Sequence, residues 1–405
     1  MEFPKKIAKY IKVIKELIIN VFSFSLLILS QQILALPMIS RHYDIQEFGK
    51  IILVFGICNI LVSIFGTSIG NARLLDTKYY NIYYLQIFYK SNVVAMLLSY
   101  IIFIMLFSGY YIDGIIFVTI VLLGCMRNFV ISEFRITNSH NQLFKQNIWY
   151  SIGIVIGTVL FYFQTNWLYI FLIAEIFSCL NSVIYLIKRS FFKTFKDHSF
   201  LSKSNIFHLM LNNGSSYSLS QCDRFIIYPL LGAASVSLFY AVSVSSRVGT
   251  LILNPLSNFI LGKMSNSNYN REKLRRFSLT GTFIITLIYF FVSLIITPVM
   301  VKILYPNYLS EIDKLILPVC LGGAIMAGVS VLKPVTMRFS GVKKYNIYFA
   351  YYSVVLISLS FILCIKFNLL GLASAKVISS LFLLILLIRS LVRKSHFNKL
   401  RVNGS

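Results

Sequence analysis

The sequence predicts an all-α polytopic membrane protein, with twelve transmembrane helices arranged as two six-helix lobes. Three observations predict it. Hydrophobic residues make up 57% of the 405 positions and charged residues 13%, where a soluble domain is about a quarter charged. Apolar runs of roughly the 20 residues that a helix needs to cross the hydrocarbon recur along the whole length. The charge is also sorted. Of the 38 Lys and Arg, only Arg41, Lys50, Lys302, Lys314 and Lys366 fall in the connections that a cytoplasmic amino terminus places outside. Arg224, Arg247 and Lys376 fall within spans, and all the others lie on the inner side. By the positive-inside rule both termini are cytoplasmic. The net charge of +25 is then an orientation signal and an attraction to anionic lipid head groups, and it calls for no nucleic-acid partner.

In order, the first six spans are Ile18 to Ile39, Ile51 to Ile69, Ser91 to Phe107, Gly114 to Ile131, Ile148 to Phe163, and Leu168 to Ile187. The second six are Phe207 to Tyr228, Val236 to Leu256, Leu279 to Val301, Leu315 to Val331, Tyr345 to Ile365, and Leu370 to Leu391. The basic stretch Met1 to Lys15 leads into the first span without a small-residue cleavage pattern, so that span is expected to stay as an anchor. Between the sixth and seventh spans runs the longest inner connection, "KRSFFKTFKDHSFLSKSN", Lys188 to Asn205. It divides the chain into a first lobe (1–190), a basic linker lying on the membrane surface (191–205) and a second lobe (206–405). "YDIQEFGKIILVFGICNIL" opens the second span and "GAASVSLFYAVSVSSRVGTL" the eighth. The echo suggests a six-plus-six duplication of the kind that builds many secondary transporters.

Polar residues inside the spans fall on stripes. Asn213, Tyr217, Ser220 and Arg224 follow i, i+4, i+7, i+11 spacing, and Ser243, Arg247, Thr250 and Asn254 repeat it. Asn59, Ser63, Gly66, Gly70 and Arg73 share one face of the second span. Asn128, Ser132, Arg135 and Ser139 align on the fourth with Arg127 on an adjacent face, and Glu175, Ser178 and Ser182 line the sixth. Ionised groups at mid-bilayer cost roughly 2.5 to 3.5 kcal/mol on insertion scales, so such stripes face a bundle interior or a watery cavity. Each has a plainer reading as well. Arg73, Arg127 and Arg135 either line that cavity or snorkel to the cytoplasmic edge. Asp223 and Arg224 point about 100 degrees apart and each pairs with another helix, for structure or for function. Lys376 either faces the lumen or reaches the outer interface. Gln31 and Gln32 read as packing glue, and Cys58, Cys125, Cys179, Cys222, Cys320 and Cys364 as small core residues.

An arginine-rich lumen suits phosphate oxygens, because the planar guanidinium fork matches them. The candidate binding residues for a phosphate-bearing substrate are therefore Arg247, Arg224, Arg127, Arg73, Arg135 and Lys376. The chain carries no GxxxxGK[ST], HExxH or GxSxG pattern, and its five His are scattered. It reads as a non-enzyme without a cofactor, driven by an ion gradient or by the substrate's own. Glu175 and Asp223 are the candidates to carry a coupling H+ or Na+.

Four segments bear a family resemblance. "YDIQEFGKIILVFGICNILVSIFGTSIGNARLL", "DRFIIYPLLGAASVSLFYAVSVSSRV", "MRFSGVKKYNIYFAYYSVV" and "KFNLLGLASAKVISSLF" resemble, in order and spacing, those of bacterial O-antigen and capsular polysaccharide repeat-unit flippases (Wzx type). These belong to the multidrug/oligosaccharidyl-lipid/polysaccharide exporter superfamily. The chain departs from them at Phe239 and Tyr240, where members often have Gly-Tyr, and at Ser374 in place of Ala. The resemblance implies that the two six-helix lobes form a V working by alternating access, and a substrate of undecaprenyl-diphosphate-linked oligosaccharide, moved from the cytoplasmic to the outer leaflet of the bacterial inner membrane ahead of a polysaccharide polymerase. It carries over Asp223 and Arg224 as the seventh-span Asp-Arg, and Arg73 as the basic residue closing the second span. Two alternatives stand beside it. An ion-coupled drug or metabolite exporter of the same superfamily calls for a carboxylate-rich cavity, and a membrane glycan polymerase calls for longer outer loops.

Overall fold

In a computed structural model, residues 19, 22–75, 81–137, 139–188, 203–247, 249 and 271–402 are described, and the elements among them are helical. The chain divides into two compact units, Met1–Arg224 and Phe225–Ser405. In the first unit, α1 (Phe22–His42), α2 (Ile45–Leu74), α3 (Tyr83–Leu106), α4 (Tyr111–Ile136), α5 (His140–Gln164) and α6 (Leu168–Ile187) hold the first six predicted spans. Hydropathy marks the apolar centre of each helix better than its ends. Asp44, for example, caps α2 by accepting the Glu47 N–H, well before the apolar run begins at Ile51.

A helix that the sequence assigns to the second lobe belongs to the first unit. This is α7 (Lys203–Ser220), held to α2 by a 2.9 Å hydrogen bond from Asn213 Nδ2 to Ser68 Oγ. The predicted seventh span, Phe207 to Tyr228, is not one continuous helix. It stops at Ser220, turns at Gln221 and resumes as α8 (Cys222–Val242). Asn212, Asn213, Ser215, Ser216, Ser218 and Ser220 make α7 a weak helix, since such side chains bond to the backbone in competition with it. Ser220 does so at its end, donating to the Tyr217 carbonyl. Within α8 the backbone breaks again at Gly232, whose φ of 83° favours a residue without a Cβ. The predicted eighth span, Val236 to Leu256, begins just past that break. Its later part, with Thr250 and Asn254, lies outside the described residues, as do 191–202 of the predicted linker.

The second unit continues with α9 (Arg271–Leu304), α10 (Leu309–Ser340) and α11 (Val342–Val402). The predicted eleventh and twelfth spans both run within α11, separated at Asn368, whose φ of 53° is left-handed. Among the described residues, ten helical stretches are long and apolar enough to cross a membrane. The last of them, Lys343–Val392, holds two predicted spans.

The packing is that of a bundle solvated by lipid. Val93, Leu97 and Ile101, one turn apart on α3, are all more than half exposed, a stripe suited to acyl chains. Helices α5 and α6 approach closely through glycine. A Cβ at Gly153 would lie 2.5 Å from Ala174 Cα, and one at Gly157 would lie 2.6 Å from Ile170 Cα. Such a small-xxx-small ridge lets backbones approach where no hydrophobic effect drives helices together. At the α1–α2 corner Tyr43 donates to the Thr165 carbonyl at 2.6 Å, and burial pushes its phenol above the ordinary value.

Candidate functional site

Helices α1, α2, α4, α5, α6 and α7 of the first unit enclose a cavity of about 220 Å³. One wall is an ion pair. Arg127 of α4 donates from Nε to Glu175 Oε2 at 2.8 Å and from Nη2 to Oε1 at 3.0 Å, a fork-on-fork contact. Arg127 is 9% exposed and Glu175 5%. The guanidinium also lies 4.8 Å from the ring centre of Tyr150 on α5, and the Tyr150 hydroxyl accepts from Gln31 Nε2 at 2.7 Å. Gly124 lies beside the pair and lets α2 approach α4, since a Cβ there would lie 2.9 Å from a Val62 methyl, though an ordinary 3.4 Å from Glu175 Oε1.

The other polar groups on the cavity are neutral. Asn59 and Asn128 donate from Nδ2 to the carbonyls one turn back, Phe55 and Gly124, both at 3.0 Å. Their amide oxygens are left to the space they line. Ser63 is 2% exposed and its Oγ has no hydrogen-bond partner. It opens a π-helical turn, Ser63–Thr67, and a second such turn, Ser30–Ala35, holds Gln31. Wide turns of this kind re-aim side chains and are frequent at functional sites. Aromatic rings of Phe55, Trp167, Phe171 and Tyr217 complete the lining.

The remaining predicted residues of the first unit are engaged elsewhere. Arg73 forms a buried ion pair with Glu133 of α4, its guanidinium 6.0 Å from the ring centre of Phe129. Arg135 is exposed at the end of α4. Arg224 is 4% exposed and donates from Nη1 to the Ile52 carbonyl in mid-α2 at 2.8 Å. It can do so because Gly56 has no side chain; a Cβ there would lie 2.8 Å from that nitrogen. Asp223 Oδ1 accepts the Arg224 N–H at 2.9 Å. Both candidate coupling carboxylates are thus engaged: Glu175 by a guanidinium, Asp223 by main chain.

In the second unit the Arg247 guanidinium stacks 3.9 Å from the ring centre of Tyr240, and Lys376 Nζ lies 4.7 Å from that of Phe239. Both cations are half-buried. Tyr240 in turn meets Tyr305 edge-on, and Tyr305 stacks on Tyr308. Carboxylates are scarce here: the whole of Phe225–Ser405 contains only Glu272, Glu311 and Asp313, each in the opening turns of α9 or α10.

Sequence reasoning named Arg127 and Glu175 in separate roles, and the structure brings them together. It missed Glu133 and Tyr150. A signal for Glu133 was present: it lies two residues past the end of the fourth predicted span, on the helix that carries Arg127 and Arg135, and a buried carboxylate needs a cation.

Solved structures share this fold at low identity. An inward-facing multidrug resistance MATE family transporter of the MOP superfamily is similar at a TM-score of 0.67 and 14% identity, over 93% of this chain and 95% of that one. Lipid II flippase MurJ in an inward closed conformation gives 0.63 and 16%, over 95% and 87%. The Vibrio cholerae MATE transporter VcmN in its bent form gives 0.59 and 12%, over 95% and 98%. No protein-family profile matches the chain, and no curated protein does. The chain therefore has the fold of MOP-superfamily transporters and is a multi-pass membrane protein.

Proposed function

We propose that this protein is a flippase that carries oligosaccharide linked to a polyprenyl diphosphate across the bacterial inner membrane by alternating access, with both termini cytoplasmic. The observation that carries the reading is a charge asymmetry. In the first unit the arginines at Arg73 and Arg127 each meet a glutamate. The second unit places Arg247 and Lys376 within spans, half-buried against the rings of Tyr240 and Phe239, in a sequence whose three acids all lie in the opening turns of α9 and α10. A cation inside a membrane-spanning bundle is expensive and marks a path for an opposite charge. A diphosphate fits a guanidinium better than a drug does. The resemblance to polysaccharide flippases supports the same substrate, and a downstream polymerase as partner.

An ion-coupled drug exporter fits the fold equally, since MATE transporters and the lipid II flippase are similar to this chain to nearly the same degree. The test is transport of a labelled polyprenyl-diphosphate glycan by the protein in proteoliposomes. Wild type should move it, Arg247→Ala should abolish movement and Arg247→Lys should partly restore it. Efflux of lipophilic cations with no movement of the lipid-linked glycan would overturn the proposal in favour of the exporter.

A further inference from the structure

The first-unit cavity has a chemistry of its own. Its one pair of charges is closed, Glu175 holding both of its oxygens on Arg127, so the space carries no net charge to offer a diphosphate or a cationic drug. What faces it is a set of neutral groups with spare acceptors, the amide oxygens of Asn59 and Asn128, together with the buried Ser63 hydroxyl, which has no partner. Around these stand aromatic rings, Trp167 among them. Acceptors and hydroxyls between flat apolar faces suit a ligand with hydroxyl donors on its rim and C–H groups on its faces, which is a pyranose. Size agrees. About 220 Å³ is below the ~300 Å³ at which drug-sized pockets begin, yet room for about seven waters at ~30 Å³ each.

We infer that this cavity is a subsite for a single sugar ring of the lipid-linked glycan, bound through Asn59, Asn128 and Ser63 and stacked on the aromatic wall. The assignment rests on the flippase reading and deepens it, giving the neutral sugar to the first unit. A bare cation such as Na+ would also accept amide oxygens, but it would have the Arg127 guanidinium and a ring of aromatic faces as neighbours.

The lining carries its own reporters. The chain has two tryptophans, so Trp149→Phe leaves Trp167 on the cavity as the sole emitter. Cys58 also lines it and can be followed by its rate of alkylation. The full chain in lipid nanodiscs is titrated with farnesyl diphosphate bearing one hexose or one N-acetylhexosamine, with farnesyl diphosphate alone, and with NaCl against choline chloride. A sugar-bearing lipid should shift Trp167 emission saturably and slow Cys58 alkylation several-fold. Asn59→Leu and Asn128→Leu should each weaken that response about tenfold, the equivalent of ~1.4 kcal/mol. Both variants should bind the sugar-free lipid as wild type does, which shows them folded. An equal Trp167 and Cys58 response to the sugar-free lipid would refute the sugar subsite and leave the flippase reading standing. A response to Na+ alone would refute it in favour of a cation site. Binding of neither lipid would remove both readings.

Discussion

Separating Arg127 from Glu175 should destabilise the first unit unequally, depending on which partner is removed. The pair is bidentate, at 2.8 and 3.0 Å, with both residues under a tenth exposed. Two unit charges about 4 Å apart at an effective dielectric of about 20 interact by about 4 kcal/mol. Breaking a buried pair by removing one partner typically costs about 3–5 kcal/mol, because the survivor is left uncompensated. In Glu175→Gln that survivor is a guanidinium, which cannot shed its proton. The Tyr150 ring 4.8 Å away offsets up to ~2 kcal/mol, so the expected loss is about 3 kcal/mol, over a hundredfold in the unfolding equilibrium. In Arg127→Met the survivor is a carboxylate that can neutralise itself by taking up a proton, and the loss falls to about 1–3 kcal/mol. The double variant, with an amide and a thioether in the same volume, should sit near wild type. Unfolding in mixed micelles by SDS titration, followed by circular dichroism, measures all four corners of the cycle. Single losses below about 0.5 kcal/mol that simply add in the double variant would show that the two groups do not depend on each other.

Gly56→Ala places a methyl 2.8 Å from Arg224 Nη1 and should expel the guanidinium from the Ile52 carbonyl. The expected loss is about 1.5–3 kcal/mol, the worth of a hydrogen bond to a charged group; an Arg224→Met background should make Gly56→Ala nearly silent, and equal losses in both backgrounds would refute the contact. Gly153→Val drives a side chain into the Ala174 backbone 2.5 Å away and should prevent α5 from seating on α6. Wild-type yield of folded protein on size-exclusion chromatography would contradict that close approach.

The helical architecture was legible because lipid demands it. Each span had to be an apolar run with its backbone bonds closed internally, and the basic connections had to fall on one side. Asp44 and Glu47 carry capping chemistry for the start of α2 that needs only three residues of context, a signal that the hydropathy reading left unused. What stayed hidden depends on partners distant in sequence. Periodicity put Arg127 beside the polar stripe of α4, but only the packing of α4 on α6 shows that its charge is met by Glu175. The stripe carrying Arg224 was read as one helical face, but the turn at Gln221 separates Ser220 from Arg224, and the destination of the guanidinium, a main-chain carbonyl of α2 beside Gly56, has no side-chain signature at all. The break at Gln221 was missed for a different reason. Hydropathy averages over a window, and a single turn between an Asn- and Ser-rich helix and an apolar one disappears into that average.

The two units differ in charge balance, and balance decides what each can hold, so moving the balance should move the ligand. Ser243 lies four residues before Arg247, and the Arg247 N–H donates to its carbonyl at 3.3 Å, placing the two side chains on one helical face. Ser243→Glu would set a carboxylate one turn from Arg247. Ser243→Gln adds the same bulk without the charge. Binding of farnesyl diphosphate should fall at least tenfold more in the glutamate variant than in the glutamine variant, equivalent to ~1.4 kcal/mol or more, while the Cys58 protection that sugar confers in the first unit stays equal in both. If the two variants lose diphosphate alike, bulk and not charge is responsible, and the charge of Arg247 is not what selects the substrate.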